Sequence, residues 1–130
     1  MEKDDRAEEL KIKAEGVLKR IEKVYGFVPL INQVLSNKPE ALFPFVELNK
    51  VALFGKGELS LKVRELTAIS AATALGGEHC LSVHIQMAIK HGANESEILE
   101  AMIIGSLMCM TKSQSSAFRA YQEAFSEKED

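Results

Sequence analysis

Cys80 and His84 lie one helical turn apart in the segment Gly76-Gly77-Glu78-His79-Cys80-Leu81-Ser82-Val83-His84. The glycine pair lets one helix stop and another begin, which puts Cys80 in the first turn of the new helix. There, unpaired N–H groups and the positive end of the helix dipole favour thiolate over thiol, and a side chain four positions on can reach the sulfur. These residue types suit thiolate chemistry. A third group sits on the preceding helix, where Glu65 lies eleven residues before the turn and His84 seven after it. At ~1.5 Å rise per residue the offset between them is about one turn, which a long carboxylate can span directly or through one water. Glu65 would then orient and charge-stabilise the imidazole, His84 would take a proton, and Cys80 would attack.

Each residue also has a plainer reading. Free cysteine is among the most buried residue types, so Cys80 could be core, and Cys109 between Met108 and Met110 reads as core before it reads as a resolving thiol. His84, flanked by Val83 and Ile85, could be a satisfied, partly buried histidine. Glu65 follows Ser60 by five residues and could be a first-turn acid set against the helix dipole, although Leu66, Ala68 and Ile69 suggest that its side of the helix is covered. His79 and His91 read as surface or helix-end residues. A metal site from Glu65, His79, Cys80 and His84 is not expected, because adjacent His79 and Cys80 diverge by about 100° around a helix.

Helices must position these groups, and the chain offers six or seven. Leu10, Ala14, Val17, Leu18, Ile21 and Val24 recur at helical spacing, predicting a helix over about 4–25 that ends at Gly26. Pro29 opens a short helix to Leu35, and Pro39 opens a third, in which Pro44 either bends the helix or marks a later start. Ser60 caps a fourth over 61–75, which Gly76 ends; the fifth spans about 78–91, closed by Gly92. Asn94-x-x-Glu97 is a capping box for a sixth, apolar nearly all round through Met110, which points to burial on several sides and a subunit interface. A separate last helix is predicted over about 114–126, with Phe118, Tyr121 and Phe125 on one stripe. Helices four and five, joined by a tight turn, should run antiparallel as neighbours. No period-2 alternation of any length occurs, so the expected fold is all-α, in one domain over 1–130.

Composition narrows the partners. The 130 residues are 46% hydrophobic and 27% charged, with an aromatic share of only 6% and no Trp, so aliphatic and Met packing must fill the core. Net charge is −3 and the basic residues are dispersed, leaving no positive stripe to track phosphates and no nucleic acid as an expected partner. The polar opening Met1-Glu2-Lys3-Asp4-Asp5 is unlike a secretory leader, and the apolar run 101–110, broken by Gly105 and Ser106, is too short to span a bilayer. A cytoplasmic protein without a membrane partner is the expectation, its two cysteines being thiols.

Taken together, Arg64-Glu65-Leu66, Ala74-Leu75-Gly76, Cys80-x-x-x-His84 and Ala88-x-x-x-Gly92-Ala93-x-x-x-Glu97-Ile98-x-Glu100-Ala101 resemble the carboxymuconolactone decarboxylase family, including its alkylhydroperoxidase AhpD-like branch, in order from about Gly26 to Met110. The resemblance implies an AhpD-like helical domain with a core over about 26–112 and a central antiparallel helical hairpin. In AhpD-like members a glutamate, a Cys-x-x-Cys pair and a following histidine carry thiol peroxidase or disulfide reductase chemistry. Glu65, Cys80 and His84 match that glutamate, the second cysteine and that histidine, and His79 matches an accessory histidine of some members. The first cysteine is replaced by Gly77, so the usual disulfide cannot form, and a redox cycle must recruit Cys109, an adjacent subunit or an external dithiol of lipoyl type. In the decarboxylase branch the Cys80 position is typically acidic while the glutamate and histidine remain.

The expected function is therefore a thiol-dependent peroxidase or disulfide oxidoreductase acting on a small-molecule peroxide, with no cofactor and no metal. The alternatives are a lyase acting on a small carboxylated metabolite, and a non-catalytic binding oligomer. The resemblance also implies a homo-oligomer, as a trimer or a hexamer built as a trimer of dimers.

Overall fold

The computed structural model describes residues 2–126, and among them every regular element is a helix. Six are present: α1 (Glu2–Tyr25), α2 (Leu30–Leu35), α3 (Pro39–Leu53), α4 (Leu61–Leu75), α5 (Glu78–Lys90) and α6 (Glu95–Phe125). They fall into two compact units, α1 to α3 up to Lys56 and α4 to α6 from Gly57 onward. None is long and apolar enough to cross a membrane.

In the first unit, α1 begins with Glu2, Asp4 and Asp5 at the positive end of its dipole and gives way to Gly26 at φ 80°. Its apolar stripe packs on α3, and Ala14, Val17 and Leu42 form the buried centre with Leu18, Ile21, Phe43 and Val46 around them. Pro29, at ψ 145°, is the N-cap of α2. α3 starts at Pro39 and carries Pro44 inside it, so the later start considered from sequence does not occur; Pro44 has no N–H to give Glu40.

The second unit is built around α4, which packs against both α5 and α6. Ile69 and Ala88 are fully buried at its centre, with Ala93, Ile98 and Ala101 beside them. Small residues set the distance between helices. At Gly105 of α6, a Cβ would collide with the backbone carbonyl oxygen of Ser70 on α4, so only glycine permits this approach. Lys62 Nζ donates to Glu97 Oε1 at 2.9 Å, fastening the start of α4 to that of α6.

The predicted break between a sixth and a seventh helix is absent, because α6 runs unbroken from Glu95 to Phe125. Its polar midsection keeps helical geometry by turning hydroxyls onto the helix's own carbonyls. Thr111 bonds Met108 O, Ser113 bonds Met110 O and Ser115 bonds Thr111 O. Neither glycine nor proline interrupts the stretch. The burial expected on several sides is also absent within the chain. Only Ile98, Ala101 and Gly105 of α6 are buried, and Cys109, expected in the core, is exposed because it lies beyond the stretch covered by α4.

Candidate functional site

Ser60 starts α4 by accepting the Val63 N–H on its side-chain oxygen at 3.2 Å. Arg64 follows, buried, its Nε donating to Leu59 O at 3.0 Å; the guanidinium occupies space that any side chain at Gly57 would fill. α4 ends where Gly76 takes φ 79°, with the N–H groups of Gly76 and Gly77 both turned onto Ala72 O at 2.9 Å. This tight closure requires glycine at position 76 and brings α5 in immediately at Glu78.

Glu65 and His84 meet across this turn. His84 Nδ1 and Glu65 Oε2 are 2.6 Å apart, a direct contact in place of the bridging water that sequence spacing also allowed. Glu65 is only 1% exposed, so it is not a surface acid set against the helix dipole. Its second oxygen, Oε1, is buried and has no hydrogen-bond partner among the described residues. A buried carboxyl oxygen without a partner is costly to hold. With Nδ1 engaged by the carboxylate, Nε2 is the ring atom left to exchange a proton, and the ring itself is partly open to solvent.

Cys80 is the third residue of α5 and is exposed, one turn before His84 on the same helix. No hydrogen bond joins its sulfur to His84, so the line expected from sequence has its Glu65–His84 link formed and its His84–Cys80 link open. Beside the sulfur lies the missing side chain of Gly77. A Cβ there would stand 3.4 Å from Cys80 Cβ and 3.7 Å from its Sγ, and Gly77 at φ −86° has a backbone that any residue adopts. Cys80 therefore has room for a second sulfur next to it, and among the described residues both cysteines are free thiols.

The other sequence-derived candidates are not drawn into the pair. His79 is exposed at the start of α5. His91 caps the end of α5 as expected of a helix-end residue, though its Nε2 is buried without a partner. Among the described residues no three His, Cys, Asp or Glu side chains converge as metal ligands would. Lys62, one of the few cations near the motif, is occupied by Glu97. That tie was not foreseen, since a pair separated by 35 positions leaves no periodic signal. The capping box, in contrast, forms as read: Asn94 Oδ1 accepts Glu97 N–H at 2.8 Å and Glu97 Oε2 accepts Asn94 N–H at 2.9 Å.

A helical unit whose paired carboxylate and imidazole stand across a glycine turn, one helical turn from a cysteine, agrees with the comparison by sequence. The chain belongs to the carboxymuconolactone decarboxylase family, whose model matches residues 39–123, more than half of its length. No protein of curated function and no solved structure matches it.

Proposed function

We propose that the chain is a thiol-dependent peroxidase or disulfide oxidoreductase in which Cys80 is the nucleophile, His84 the proton carrier and Glu65 the residue that fixes the imidazole. The observation that carries this reading is the 2.6 Å contact between His84 and an almost fully buried Glu65. Holding Nδ1 against Glu65 fixes the ring and leaves Nε2 as the atom that would take the proton the thiol gives up. The Cys80 thiolate then attacks the terminal oxygen of a peroxide, the O–O bond breaks, and the departing alkoxide takes the proton from His84. The sulfur is left as a sulfenic acid. An external thiol condenses with it, releasing water and forming a mixed disulfide, and a second thiol, or the other arm of a dithiol, restores Cys80 and leaves as the oxidised disulfide. His79, exposed beside Cys80, is assigned an accessory part in receiving these reactants.

One observation favours a second reading. The Glu65–His84 pair is complete without the sulfur, as a proton-transferring lyase acting on a small carboxylated metabolite would require.

Peroxide consumption with a lipoyl-type dithiol as donor separates the two. Cys80→Ser is expected to abolish turnover, Cys109→Ser to retain it, and Glu65→Gln to lower it by about 10²-fold or more, the scale of a positioned acid–base group. Turnover surviving in Cys80→Ser would overturn the thiol mechanism.

A further inference from the structure

Between α1 and α3 lies a cavity of about 410 Å³, within the size range of small-molecule sites. All its lining residues come from these two helices, and none belongs to the unit that holds Glu65 and His84. Lys13 Nζ stands 5.0 Å from the centre of the Phe43 ring, and further along the pair the Tyr25 and Phe54 rings meet. The helices therefore run parallel, with α3 numbers ahead of their α1 neighbours by 30 and 29 at those two contacts. That register sets Arg20 level with Lys50, and Val17 level with Val46 and Glu47. Between the levels of Lys13 and Arg20, ~10 Å at the helical rise, the wall is Val17, Phe43 and Val46.

The cations around this wall are not spent on the chain's own acids. Lys13 passes over Glu9, four positions before it, and sits on the Phe43 ring; Arg20 has no ion pair among the described residues; Lys50 reaches Glu47 only at 3.9 Å. Glu47 is the one acid of the lining, set against three cations in a chain whose net charge is −3. We propose that the cavity binds a single-chain organic acid, a medium-chain carboxylate, with its head between Arg20 and Lys50 and its tail along Val17, Phe43 and Val46. The planar guanidinium can take both carboxylate oxygens, and the lysine adds a point charge at the same level. A neutral chain would leave those cations unanswered, and a compact inorganic anion would leave the apolar wall uncovered. Lys13 and Arg20 precede residue 39, where the family match begins, so the site belongs to this chain's own first helix.

Calorimetric titration of the full chain with octanoate, kept below its micelle concentration, tests the site. Saturable binding is expected, at least about tenfold weaker in Arg20→Gln, while octanol binds parent and variant alike. Lys19→Gln removes the same charge from the same helix without touching the lining, and should bind octanoate as the parent does. Absence of saturable binding, an equal loss in Lys19→Gln, or an equal loss for octanol would overturn the proposal. So would a chain that sediments with anionic phospholipid vesicles yet takes up no free octanoate, since that marks a membrane-facing surface instead. Should Arg20→Gln unfold, Lys50→Gln carries the same expectation and the same power to overturn it.

Discussion

At the scale of residues, position 77 separates this chain from a self-contained dithiol enzyme. Disulfide-bonded residues hold their Cβ atoms about 3.5–4.5 Å apart, and a side chain at position 77 would start 3.4 Å from Cys80 Cβ on an unstrained backbone. Gly77→Cys is therefore expected to oxidise spontaneously onto Cys80, read as the loss of two titratable thiols relative to the reduced variant, with Cys109 unaffected. On the proposed mechanism it should also free the cycle from dependence on a high concentration of external thiol, read as a lower donor KM. A variant that keeps all three thiols reduced in air would show that the two positions do not meet. The Glu65–His84 contact was legible in the sequence because its spacing is local to a single turn, whereas the expected link from His84 to Cys80 is not formed. The exposure of the sulfur was not legible, since free Cys is more often buried than exposed and neighbouring residues did not settle it.

Helices were legible where local chemistry punctuates them. Ser60, Gly76, Gly92 and the Asn94–Glu97 box each formed as read, because a cap or an αL glycine acts through its own neighbours. The join at 111–113 was misread because polarity resembles a loop unless hydroxyls can return to the helix's own carbonyls, which Thr111, Ser113 and Ser115 do. Tertiary ties were beyond reach, and the Lys62–Glu97 pair is the example with a measurable consequence. The Asn94 N–H, followed by Lys62, holds the Glu97 carboxyl below its ordinary 4.5. Folding thus favours the ionised form, so the contribution is complete above pH 4.5 and lost as pH falls through the lower folded value. Glu97→Gln should melt earlier than the parent chain at neutral pH, with the gap narrowing as the pH is taken well below 4.5. A gap that stayed constant across that range would mean that the charge on Glu97 contributes nothing.

At the scale of the molecule, the all-α class followed from the absence of period-2 patterning, whereas the division at Lys56 and Gly57 did not, because Phe54-Gly55-Lys56-Gly57 reads as an ordinary loop. Each unit has its own small core, three residues fully enclosed or nearly so in the first and five in the second. Such cores are modest supports for a helix of 31 residues.

The sealed oxygen of Glu65 has a consequence for traffic rather than for structure. With the carboxyl shut off from solvent and its hydrogen-bond partner among the described residues a ring that is itself partly wet, the proposed mechanism gives a hydrogen ion bound for it one doorway, the imidazole of His84. Small bases dissolved in the buffer cannot call on the carboxylate directly. In the reaction proposed above, proton movement would run through that ring.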